Sequence, residues 1–172
     1  GGVALGAAFL DASTGEFVAW EEAGSNPWGS LGDRLAAFSP REVVHAENLV
    51  WPDGSRPDPA GCTVTPGYPY TFTPAVAADL LKRHFDVASL DGFGLAGRPL
   101  AIAAAGGLLA YVRETIRSGL EHVDRLTAHE PAEHLVIDTA SFRALEIDRA
   151  LKDGARAGSL LQAVDRTLTS PG

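Results

Sequence analysis

Residues Val3 to Leu10 are apolar on both alternating faces: Val3, Leu5, Ala7 and Phe9 on one, Ala4, Ala8 and Leu10 on the other. A half-solvated strand alternates apolar with polar, so a strand without that alternation is covered on both sides. The segment predicts a central strand with helices above and below it. Asp11-Ala12-Ser13-Thr14-Gly15 follows, turn chemistry in which Gly15 readily takes positive φ. Glu16 to Trp20 returns as a second short strand, giving a hairpin.

Asn26-Pro27 opens a helix, with Asn26 as cap and Pro27 at the first position, and Pro40 closes it after Phe38. Glu42 to His45 reads as a third strand. Strand, helix, strand implies a crossover and a parallel pairing. Six of the eleven prolines lie between Asn48 and Pro74, which predicts loops with one short strand at Thr63–Thr65. Thr73-Pro74 starts another helix, with Ala77, Leu80, Leu81, His84 and Phe85 on one face and Asp79, Lys82 and Arg83 facing outward. The longest helix is expected from Pro99 to about Gly119. Ala101, Ala105, Leu108, Val112 and Ile116 form its stripe, and its Ala- and Gly-rich middle lets another element approach closely. After a short apolar piece at Leu135–Ile137, Asp138 caps a helix to about Asp148, and Ser159 caps one to about Asp165.

Charge narrows the function classes. The 172 residues carry a formal net charge of −8, which disfavours binding nucleic acid through a basic surface. From Asp138 onward five acids balance five bases, so the whole excess lies before it and a boundary near residue 137 is expected. The single cysteine, Cys62, excludes an intrachain disulfide and fits a reducing, cytoplasmic setting. The longest uncharged apolar run, Pro99 to Val112, is shorter than the roughly 20 residues of a membrane span. The chain has no methionine and opens Gly1-Gly2, which reads as an excised fragment without a signal peptide.

Motifs that suggest chemistry fail on context. Gly92-Phe93-Gly94-Leu95-Ala96-Gly97 matches a dinucleotide-binding pattern, but Val87–Leu90 is a poor strand and Glu114 lies inside a helix, so a plain glycine loop is the better reading. His129-Glu130-Pro131-Ala132-Glu133-His134 misses zinc-protease spacing, and Pro131 breaks the helix such a site needs. Cys62 has no His/Asp constellation, and no P-loop occurs. Asp11, at the end of the first strand, stands where a metal-dependent nuclease of RNase H-like fold places a carboxylate. Such an enzyme is the competing class, although no partner carboxylates assemble. No catalytic, cofactor-binding or metal-binding residue is assigned.

Three stretches share one resemblance: Phe9 to Phe17; Ala104-Ala105-Gly106-Gly107-Leu108-Leu109-Ala110-Tyr111 with Glu114-Thr115 and Leu120-Glu121-His122; and Ile137 to Ile147 with Gly158-Ser159-Leu160-Leu161, Val164-Asp165-Arg166-Thr167 and Thr169-Ser170-Pro171-Gly172. In this order they resemble the MutS family of DNA mismatch-repair proteins in its bacterial form, over nearly the whole chain. The resemblance implies an internal piece. Residues 1–125 would be a connector domain of α/β, RNase H-like fold, a mixed sheet flanked by helices. Residues 126–137 would be a linker, and 138–172 the beginning of an α-helical core domain. It implies a non-catalytic connector between mismatch-reading and ATPase parts, with a docking surface for MutL; Asp79, Lys82 and Arg83 are the candidate contacts. ATP, Mg and mismatched DNA would belong to absent parts of a parent that is dimeric. The tail's apolar residues Phe142, Leu145, Leu160 and Leu161 would then lack their full partners.

Overall fold

The computed structural model describes residues 3–52, 54, 56, 62–116, 120, 122–129, 139–152 and 154–165. They fall into two units, Gly1–Ala132 and Glu133–Gly172. In the first, β1 (Val3–Leu10) pairs antiparallel with β2 (Phe17–Gly24), and β5 (Leu126–Ala128) pairs parallel with β2 on its other side. β3 (Glu42–Ala46) and β4 (Thr63–Gly67) form a separate parallel pair. Three helices complete the unit: α1 (Pro27–Phe38), α2 (Pro74–Phe85) and α3 (Pro99–Thr115).

The period-two geometry of β1 decides the layers. Leu5, Ala7 and Phe9 pack with Trp20 of β2 against Trp28, Leu31 and Leu35 of α1. Ala8 and Leu10 pack with Phe17 and Ala19 against Ala101, Ala105 and Leu109 of α3. A mixed sheet with helices on both faces is therefore the fold, as expected for an RNase H-like domain. The Arg34 guanidinium lies 4.8 Å from the ring centre of the fully buried Trp20, and burial pulls the Arg34 pKa down.

The two-sided strand is nevertheless an edge, not the centre: β2 is the middle strand. The parallel pairing inferred from β2–α1–β3 also fails, since the parallel neighbour of β3 is β4. An apolar cleft of about 320 Å³ separates β1 from β3. His45, Trp28 and Trp51 line it, their rings 5.3–5.4 Å apart around Trp51. Among the described residues β3 is not paired with β1, and these aromatic rings line the cleft between the two strands.

Helix starts follow the sequence. Asn26 Oδ1 accepts the Gly29 N–H at 3.1 Å, capping α1. Thr73 instead turns its hydroxyl back to the Tyr70 carbonyl, so α2 begins on Pro74 without a side-chain cap. α3 begins after Arg98, which offers no side-chain cap. Glu21 of β2 supplies one: its Oε2 accepts the N–H groups of Leu100 (2.7 Å) and Ala101 (2.9 Å). α3 ends at Thr115, Ile116 is 41% exposed rather than part of the buried stripe, and Gly119 lies outside the described residues. The Gly-rich middle of α3 meets α2 as expected: a Cβ on Gly106 would stand 2.3 Å from that of Ala77.

In the second unit, α4 spans Thr139–Ala144 and α5 Leu160–Val164. α4 stops well before Asp148 because Glu146 takes φ +50°, with Glu146 N–H bonded to Arg143 O and Ile147 N–H to Phe142 O. That is a left-handed helix termination on a non-glycine residue. Ser159 caps α5 through Gln162 N–H at 3.2 Å, while Gln162 Oε1 accepts Gly158 N–H at 2.6 Å. Asp138 lies outside the described residues. Leu126–Ala128, expected as linker, are strand residues of the first unit.

Candidate docking surface

α2 has an inner and an outer face. Inward, Ala77 and Leu81 are fully buried, His84 Nε2 donates to the Val123 carbonyl at 2.8 Å, and the Phe85 ring lies 5.1 Å from that of Phe93. Outward, Val76 (42% exposed), Asp79 and Arg83 share one stripe, and Arg83 Nε donates to the Asp79 carbonyl at 3.1 Å. Lys82 is half-buried at the edge of this stripe, so the outward trio is a pair with a flanking lysine. Lys82, Arg83 and His84 also crowd the last turn, where positive charge favours the helix dipole.

Beside the start of α2 lies a groove that sequence reasoning missed. All three tyrosines of the chain line it. Tyr68 and Tyr70 flank Pro69 in a 3-10 turn and stack with ring centres 5.9 Å apart and planes 27° apart. They are 58% and 64% exposed. Thr71 Oγ1 donates to the Tyr68 carbonyl at 2.7 Å, and the Thr73 hydroxyl to that of Tyr70. Gly107 and Ala110 of α3 line the groove, Glu47 and Glu114 stand exposed along it, and its volume is about 540 Å³. Tyr111 OH donates to Glu42 Oε1 at 2.7 Å, which also accepts Thr65 Oγ1 at 2.5 Å. The bond to Glu42 pushes the Tyr111 phenol above its ordinary pKa. Among the described residues lining the groove there is no lysine, arginine or histidine. The available signal was Tyr68-Pro69-Tyr70 itself, a rigid dipeptide step between aromatics in a stretch read only as loop.

The alternatives with chemistry fare worse. Asp11 Oδ1 accepts Ser13 N–H (2.8 Å), Ser13 Oγ (2.6 Å) and Thr14 N–H (3.4 Å), led by the Ser13 hydroxyl in holding its carboxyl below the usual range. It closes its own turn. Among the described residues no three His, Cys, Asp or Glu side chains group as metal ligands. Gly92–Gly97 is a tight loop: Gly94 and Gly97 have positive φ, Leu95 is buried in the core, and no strand lies between α2 and the loop. Cys62 Sγ contacts the Thr63 carbonyl at 3.5 Å. Of the His129–His134 motif only His129 is described, its carbonyl accepting from Arg98 Nη1 at 3.2 Å. No helix among the described residues is long and apolar enough to cross a membrane.

Comparison with known proteins sets the chain in a family. Residues 1–124 match the family described as MutS domain II. The chain is 42% identical over 177 aligned positions to the DNA mismatch repair protein MutS of Myxococcus xanthus, covering 97% of this chain and 19% of the relative. It is 40% identical to that of Rhodopirellula baltica over its whole length, again 19% of the relative. For Symbiobacterium thermophilum the identity is 38%, covering 98% of this chain and 19% of the relative. The chain thus spans about a fifth of the length of the curated relatives it matches.

Proposed function

Because the chain belongs to the MutS family of DNA mismatch-repair proteins, through its domain II, we propose that it is a non-catalytic connector. It links a mismatch-reading part to an ATPase part of a longer, dimeric protein that binds mismatched DNA and uses ATP with Mg, and it offers a docking surface to MutL. The observation that carries this reading is the family match over a body packed on both faces of its sheet. A connector passes motion between its neighbours only if it moves as one piece, and two buried layers give that stiffness. The outward stripe of Val76, Asp79 and Arg83 on α2 is the docking candidate, with Lys82 at its border.

The test uses the full-length parent carrying Asp79→Arg with Arg83→Glu. Both side chains are exposed, so the fold is retained. Recruitment of MutL to mismatched DNA falls about tenfold, the effect of losing one well-placed interface contact, while mismatch binding and ATP hydrolysis stay at their wild-type levels. Undiminished recruitment would move the docking surface elsewhere. The isolated chain, at net charge −8, gives no submicromolar binding to mismatched duplex at physiological salt and no ATP hydrolysis. Either activity in the purified chain would contradict the division of labour.

A further inference from the structure

We propose that the tyrosine groove between the Tyr68–Tyr70 turn and α3 is a second interaction surface, and that its occupant is an arginine- or lysine-bearing segment of a partner protein. The chemistry is that of a cation receptor. Tyr68 and Tyr70 present stacked, exposed π-faces, which attract a guanidinium or ammonium through the ring quadrupole. Glu47 and Glu114 line the same groove, and no base among the described lining residues neutralises them. A planar guanidinium that stacks on an aromatic face while its edge bonds a carboxylate satisfies both features at once.

The surface is also preorganised, which lowers the cost of binding. Pro69 fixes its own backbone angle, and hydroxyls of Thr71 and Thr73 tie the carbonyls of Tyr68 and Tyr70. Beneath the turn, Phe72 is locked between glycines: a Cβ on Gly107 would lie 2.3 Å from its ring and one on Gly67 3.0 Å. Tyr111 is held by Glu42. Stacked aromatics equally suit the bases of single-stranded nucleic acid, but a groove whose charged lining residues are Glu47 and Glu114, in a chain of net charge −8, repels phosphodiesters. The charge selects a basic peptide. Among the described residues the groove has no base, whereas the outward stripe of α2 carries Arg83 with Lys82 at its border, so this surface is electrostatically distinct from the MutL candidate.

The experiment titrates the full 172-residue chain, at physiological salt, with octa-arginine and separately with an eight-nucleotide oligothymidylate, following the tyrosine ring resonances by NMR. Octa-arginine shifts the Tyr68 and Tyr70 ring signals, and Tyr68→Ala with Tyr70→Ala weakens its binding about tenfold without changing the melting temperature. Glu47→Gln with Glu114→Gln weakens it as well and flattens its salt dependence. Binding that ignores the tyrosine substitutions would be diffuse attraction to an acidic chain and would overturn the proposal. So would oligothymidylate moving the same ring signals.

Discussion

Glu42 accepts two hydroxyls, from Thr65 of its neighbouring strand and from Tyr111 of α3, and so ties the β3–β4 pair to the longest helix. The phenol donating to this carboxylate has its pKa raised. A group raised in the folded state contributes stability below its unfolded pKa, and that contribution is lost as pH rises through the folded value. The chain accordingly loses stability above about pH 10. Glu42→Gln brings the Tyr111 pKa down towards the ordinary phenol value, read by ultraviolet absorbance in a chain with three tyrosines; an unmoved transition would discount the bond. Gly106 sets a second expectation. Alanine there gains about 1 kcal/mol of helix propensity, but its Cβ would meet Ala77 Cβ at 2.3 Å and Cα at 2.5 Å. Backbone cannot yield as a flexible side-chain tip can, so overpacking wins, and Gly106→Ala destabilises by about 1–3 kcal/mol in denaturant unfolding. The close approach at Gly106 was legible because the middle of α3 is rich in Ala and Gly. The tyrosine groove was not, since the 68–70 turn and residue 111 are far apart in sequence and only tertiary packing unites them.

Among the elements, α3 shows how a sheet can cap a helix. Arg98 stands where a capping side chain belongs and provides none, so the N–H groups of Leu100 and Ala101 depend on Glu21 from β2. Glu21→Ala leaves both without that acceptor and costs about 1–3 kcal/mol. Glu21→Gln keeps an acceptor and loses chiefly the charge–dipole term, about 0.3–1 kcal/mol. Thermal unfolding of the two variants should rank them in that order, and equal losses would remove the cap from the argument. No local pattern announces Glu21, because the N–H groups it accepts lie 79 and 80 residues further along the chain. Cap-and-proline signals, by contrast, placed α1 and α2 at their observed starts, and the lack of apolar–polar alternation in β1 correctly required helices on both faces. That lack could not say which strand is central. Apolar coverage above and below is the same for a middle strand and for β1, whose free edge meets the Trp28, Trp51 and His45 side of the cleft.

At the scale of the molecule the two units differ in how much they bury. The first holds a continuous core around Phe17, Leu81, Leu95, Leu109 and Leu126. The second has helices of six and five residues, with Leu145, Leu151, Leu160, Leu161 and Val164 all exposed. Helices shorter than about 12 residues are marginal without packing. Amides of β1 and β2 should therefore exchange slowly and those of Leu145 and Leu160–Val164 fast in the monomer; equal protection would give the second unit a core as complete as the first. The charge shift lies near residue 137 and the units divide after Ala132; β5 had no sequence signal because three residues are too few to show a period. The register of β5 carries a mechanical corollary. β1 starts where β2 ends, Val3 opposite Gly24, and β5 runs from Phe17 towards Ala19, heading for that same end. The chain enters and leaves this sheet at the same end, along strands that run in opposite directions, with β2 between, about 10 Å apart. In the longer polypeptide proposed above, such a unit would hang like a bracket, adding little to its reach. Tension drawing those two strands apart sideways loads the ladder bonds one after another, beginning at Val3–Gly24, so the bracket peels rather than shears.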